Sequence, residues 1–188
     1  YMLTTAQPWA NLKFDGDGVD ETRRKFFGTL YNTYSFFALY ANVDGFDPSA
    51  QEVKVAERPE IDRWIISVKE SLVEAVRNAY EDYDVTLAGR LIQEFVCDHV
   101  SNWYVRLGRK RFWGGGLSKD KLSAYQTLWD VLRTVALLSA PLAPFFSDRL
   151  WRDLTGRADD GSSVHFESMP VADKSLIDRD LEEKMALA

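Results

Sequence analysis

The chain has 188 residues, a formal net charge of −6 and one cysteine. A domain of this size buries roughly 70% of its unfolded surface, and 46% hydrophobic with 28% charged residues is a globular composition, which excludes a disordered chain. With only Cys97, His99 and His165 there is no disulfide framework and no multi-cysteine or His-rich metal site, and no run approaches the roughly 18 apolar residues of a membrane span. The acidic total also counts against a nucleic-acid partner, because phosphate binders are usually basic.

Residues 1–18 lack a helical period. Pro8, Gly16 and Gly18 interrupt them, with Trp9, Leu12 and Phe14 as isolated anchors, so an ordered but irregular lead-in is expected. Asp20 then caps a first helix, in which Phe26, Phe27, Leu30, Tyr31, Tyr34, Phe37, Ala38 and Ala41 recur at three and four residues. It runs to about Asn42 and is stopped by Gly45 and Pro48. Pro59 suits the first turn of a second helix, whose stripe is Ile61, Trp64, Ile65, Val68, Leu72, Val76 and Ala79. Asp84 caps a third, with Leu87, Leu91, Phe95, Ile92, Val96, Val100, Trp103 and Leu107 as its buried face, ending at Trp113 before Gly114-Gly115-Gly116. Ser118 caps a fourth helix, and Pro144 opens a fifth that ends at Gly156.

After a polar stretch, Val164-His165-Phe166 reads as extended. The last segment, Lys174 to Leu187, is helix-prone but carries only Leu176, Ile177, Leu181 and Met185, so thin a stripe that its docking partner is expected outside this chain. The expected class is all-α: a helical bundle of four to five long helices, with an irregular N-terminal lead-in and a C-terminal helical tail. The ends, Tyr1-Met2-Leu3 and Met185 to Ala188, read as cuts through a longer polypeptide.

A catalytic site needs a nucleophile, a base and an orienting group in reach. Cys97 and His99 are two residues apart and point to different helix faces, and the acidic pairs Glu81-Asp82 and Glu182-Glu183 lie in polar segments. No catalytic residue and no metal ligand is expected. Charge is more informative. Residues 103–113 hold Arg106, Arg109, Lys110 and Arg111 and no acid. At helical spacing Asn102, Arg106, Arg109 and Trp113 share one face, while Trp103 and Leu107 continue the apolar one. Guanidiniums pair bidentately with phosphates and planar groups stack on unpaired bases, so this face reads as an RNA contact. Equally, cations favour a helix C-terminus and pair with acidic neighbours. A smaller cluster, Arg23-Arg24-Lys25, opens the first helix, where the helix dipole disfavours it, so it is retained either by an outside contact or by intramolecular pairing.

Several of these stretches resemble the anticodon domain of class I isoleucyl-tRNA synthetases. The run Arg24 to Phe37 is similar to that family's first bundle helix, and Glu57 to Ile65 to the start of the next. Ala88 to Phe95 and Ser101 to Arg106 through Phe112-Trp113 resemble the third, Ala140 to Asp148 the turn before the fifth, and Ser163-Val164-His165 the close of the domain. The resemblance covers nearly the whole chain.

It implies a parent enzyme that charges isoleucine tRNA with ATP and magnesium in a catalytic domain absent here, the parent's zinc content being unknown. On this view residues 1–18 are a linker from that domain, 19–171 the anticodon-binding bundle, and 172–188 a tail toward a C-terminal module. The implied partners are isoleucine tRNA and those domains, with no membrane, in the cytoplasm. Asn32 falls where relatives carry a base reader, or else makes a polar contact within the bundle; Gly28, at a second reader position, has no side chain to read with. Arg24, Arg106, Arg109 and Arg111 are the phosphate candidates. The alternatives are the equivalent domain of a valine, leucine or methionine ligase, and a helical protein-interaction scaffold.

Overall fold

The structure, a computed structural model, describes residues 9–11, 14–50, 52–157 and 160–187. The first helix, α1, starts at Gly16 rather than Val19. Asp15, not Asp20, is its cap: the Asp15 carboxylate accepts from the Asp17 and Gly18 amides, which the first turn would otherwise leave free. After Gly16–Thr22 the helix passes through a π-helical turn, Arg23–Phe27, and continues as Gly28–Asp44, closed by Gly45 in the left-handed conformation. Of the expected lead-in anchors, Trp9 and Phe14 are 77% and 78% exposed and pin nothing among the described residues; Leu12 lies outside them.

Helix α2 is Glu60–Glu81, with Pro59 at its cap position. Helix α3 begins at Val85, with Asp84 accepting from the Leu87 amide, and runs through Val85–Glu94, a π-helical stretch Phe95–Val105 and Arg106–Trp113. Ser118 caps α4 (Lys119–Ser139) by accepting from the Lys121 amide, and Pro144 opens α5 (Pro144–Thr155), which Gly156 closes at φ 68°. The apolar faces of α1 to α5 meet in one core. Leu30, Ile65, Phe95, Tyr125, Leu132 and Trp151 are each at most 2% exposed, and each such side chain contributes roughly 1.5–3 kcal/mol by burial. Among the described residues there is no strand.

Three expectations change here. Val164–Phe166 is a 3₁₀ turn, held because the Asp148 carboxylate accepts from both the Ser163 hydroxyl (2.6 Å) and the Val164 amide (3.0 Å). The tail is a 3₁₀ turn, Lys174–Leu176, and then a short helix, α6 (Arg179–Ala186). Its partner is in this chain. Leu181 is buried on the core, and Glu182 accepts from Ser67 (2.5 Å) and Ser71 (2.8 Å) of α2. Third, Leu107 is 58% exposed, because the π-helical stretch shifts the buried face of α3 to Tyr104, Gly108 and Phe112.

Candidate nucleic-acid interface

Helices α1 and α3 lie side by side. The Cys97 thiol approaches the Lys25 carbonyl at 3.6 Å, and Phe36 meets Phe112 edge-on with ring centroids 5.1 Å apart. Phe112 in turn rests edge-on against Tyr125 of α4 at 5.1 Å, so the far end of α3 is anchored from two sides. With Gly108 and Phe112 turned inward, Arg106, Arg109, Lys110 and Trp113 point out. Asn102 is also exposed, its amide donating to Asp98 at 3.4 Å. The four residues expected to share a face are therefore all presented to solvent. Among the described residues the side chains of Arg106, Arg109 and Lys110 have no ion-pair or hydrogen-bond partner.

Arg111, the remaining phosphate candidate on α3, is placed differently. Its side chain is 15% exposed and forks onto the fully buried Asp62 of α2, at 2.6 and 2.8 Å, while its remaining donors reach the Asp120 carboxylate and carbonyl of α4. Burial works against the guanidinium's charge, yet Asp62 and Asp120 outweigh it and hold the group more firmly protonated than usual. Asp62 also accepts from Tyr104 (2.7 Å) and Ser123 (2.5 Å); burial first, then the Asp62 charge, push the Tyr104 phenol well up. All of Arg111's reach is thus used inside the bundle, and it has none left for a ligand.

Arg24 lies outside the strip. It is exposed near the start of α1, its Nε donating to the Asp20 carbonyl at 3.4 Å, beside a shallow hollow lined by Asp15, Asp17, Glu21 and Lys25. Its neighbours Arg23 and Lys25 pair with Asp20 and Glu21 at 3.1 and 2.5 Å, so the intramolecular reading of this cluster describes them. An acid-lined surrounding is a poor place for a phosphate. Asn32 is exposed on α1 between Thr29, which meets Cys97, and Phe36, which meets Phe112. That places it on the helix neighbouring the strip.

The candidate face is thus Asn32 on α1 with Asn102, Arg106, Arg109 and Trp113 on α3. Sequence reasoning missed two things. Lys110 is exposed and unpaired beside the strip; its charge was visible, but helical spacing put it off the shared face. Asp62 carries the buried end of the Arg111 pair, and no local pattern marks it.

A bundle that offers unpaired guanidiniums, amides and an indole on one surface has the equipment of a nucleic-acid-binding module. The chain belongs to the family of anticodon-binding domains of tRNA ligases, whose family model matches residues 62–188. It is 60% identical over its whole length to an isoleucine–tRNA ligase of Bacteroides fragilis, covering 17% of that protein. It is 56% identical to one of Porphyromonas gingivalis, covering all of this chain and 16% of the relative. With one of Clostridium tetani it shares 40% identity over 98% of this chain and 18% of the relative. The chain therefore spans about a sixth of the length of these relatives.

Proposed function

We propose that this chain is the anticodon-reading part of an isoleucine–tRNA ligase, and that it grips isoleucine tRNA with the face formed by α1 and α3. The observation that carries the reading is the strip of unpaired cations, Arg106, Arg109 and Lys110, next to the exposed Trp113 indole. Cations placed this way meet phosphates, the indole stacks on an unpaired base, and Asn32 and Asn102 offer paired donor and acceptor groups to a base edge.

In this reading the ATP- and magnesium-dependent charging step belongs to a catalytic domain outside this chain, and the whole enzyme works in the cytoplasm. Among the described residues no group of three or more His, Cys, Asp or Glu side chains could hold a metal ion. Residues 1–18 would link to the catalytic domain, and the tail beyond α6 would lead to a C-terminal module. Among the described residues no helix is long and apolar enough to cross a membrane.

The test is direct binding. The chain should bind isoleucine tRNA, and changing Arg106 and Arg109 together to Ala should weaken it by about 1–3 kcal/mol. Unchanged affinity sinks the assignment of the strip. Equal affinity for a tRNA with a swapped anticodon would reduce the chain to a non-selective RNA binder.

A further inference from the structure

Residues beyond Val105 inherit their rotation from the π-helical stretch before them. An α-helical continuation of Phe95, Val96 and Val100 would turn Trp103 and Leu107 inward, the setting the apolar pattern favours. In the structure Tyr104, Gly108 and Phe112 are buried and Leu107 is exposed, while Trp103 stays partly buried against the core. That is a shift of one residue, or about 100° around the axis. π-helical turns are rare, appear mostly as short bulges inside α-helices and are frequent at functional sites, so the contact that holds this one is worth finding.

The contact is at Asp62. This carboxylate is fully buried on α2 and takes hydrogen bonds from Tyr104 and from both ends of the Arg111 fork. Tyr104 and Arg111 are seven residues apart, two turns of one face. In the alternative setting both would swing away together and leave a buried charge unpaired, which is costly. The pair is not needed for packing alone. A buried ion pair adds little net stability, and its best-attested use is to fix register.

We propose that Asp62, acting through Tyr104 and Arg111, is a register lock that positions the RNA-contacting strip: it selects the π-helical setting of α3 and so sets the direction, about 100° round the axis from the alternative, in which Arg106, Arg109 and Trp113 leave the bundle. These are positioning residues, and the proposal rests on the strip being the tRNA contact.

The only native cysteine is Cys97, so the setting can be read by labelling. In a Cys97→Ser background, Leu107→Cys should react with a thiol reagent as an exposed cysteine does. Adding Asp62→Asn or Arg111→Met should slow that reaction and weaken tRNA binding by about tenfold. Tyr104→Phe, the mildest change, keeps the test open should either of those fail to fold. Lys69→Met is the control: it breaks another buried ion pair, to Asp130 at 2.5 Å, joining α2 to α4 without touching α3. It should lower the melting temperature and leave labelling and affinity unchanged. Unchanged labelling in the Asp62, Arg111 and Tyr104 variants overturns the lock, as does an equal loss of affinity in the Lys69 control. If the lock variants slow labelling but the Arg106/Arg109 double change leaves binding intact, the lock stands as a structural device and the reading of the strip, with the lock's role in binding, is what fails.

Discussion

Asp44, the last residue of α1, accepts a hydrogen bond from the Tyr125 hydroxyl at 2.5 Å and pairs with the ammonium of Lys121, both on α4. Lys121 is buried and also donates to the Gly114 carbonyl at 2.6 Å, so one cation ties the end of α1 to the loop between α3 and α4. The Lys121 hydrogen bond, followed by that of Tyr125, holds the Asp44 carboxyl below its ordinary value of 3.8. A depressed carboxyl contributes stability that is fully present above its unfolded pKa and is lost as pH falls through the folded one. The same holds for Asp148, lowered chiefly by its bond to Ser163. Acid should therefore weaken the bundle below about pH 4. Denaturant midpoints at pH 7 and pH 3 check this. Asp44→Asn should be less stable than the parent at pH 7 and lose less on acidification. An equal acid-induced loss in both proteins would remove Asp44 from the account.

At the scale of elements, α6 shows how a helix with little apolar surface is held. Leu181 supplies the burial, and polar groups do the rest: Ser67 donates to Glu182 while accepting from the Asp178 amide at 2.7 Å, and the Asp173 amide donates to Glu70 at 2.9 Å. Leu181→Ala should cost about 2–3 kcal/mol, at the low end for a buried leucine because the site lies at the rim. Hydrogen exchange should then speed up across 174–187 while the core of α4 stays protected; unchanged exchange in the tail would mean the polar stitches alone suffice. This docking was not legible in the sequence, because Ser67 and Ser71 are polar and buried polar contacts leave no periodic trace. By contrast α2, α4 and α5 were legible almost to the residue, since Pro59, Ser118, Pro144 and Gly156 are local signals whose physics needs no tertiary partner. The strip on α3 was legible for a related reason: its members are near neighbours on one helix and all proved exposed. The fate of Arg111 was not, because its partner lies 49 residues away. Nor was the phase of α3, because a π-helical turn is chosen by what it packs against.

Across the whole molecule the net charge of −6 and the cationic strip are compatible, because among the described residues no acid pairs with the strip's cations. Asp62 and Asp120 neutralise Arg111, Asp44 takes Lys121, and Asp20 and Glu21 take Arg23 and Lys25. The cations left without an acidic partner on the exposed face of α3 are Arg106, Arg109 and Lys110, with Asp98 beside them occupied by the Asn102 amide. Long-range attraction of tRNA to an acidic protein should therefore be weak, and binding should depend on these three charges at contact. That has a measurable consequence. On single-stranded nucleic acid each neutralised phosphate contributes about −0.7 to the slope of log K against log salt, so three contacts give a slope near −2. Lys110→Ala should bring it to about −1.4, and Arg106→Ala with Arg109→Ala to about −0.7. A titration of affinity from low to moderate salt reads these slopes directly. A slope much steeper than −2 in the parent chain would mean that cations outside α3, such as Arg24, also reach the phosphates. One that does not change in the variants would place the contact on another face of the bundle.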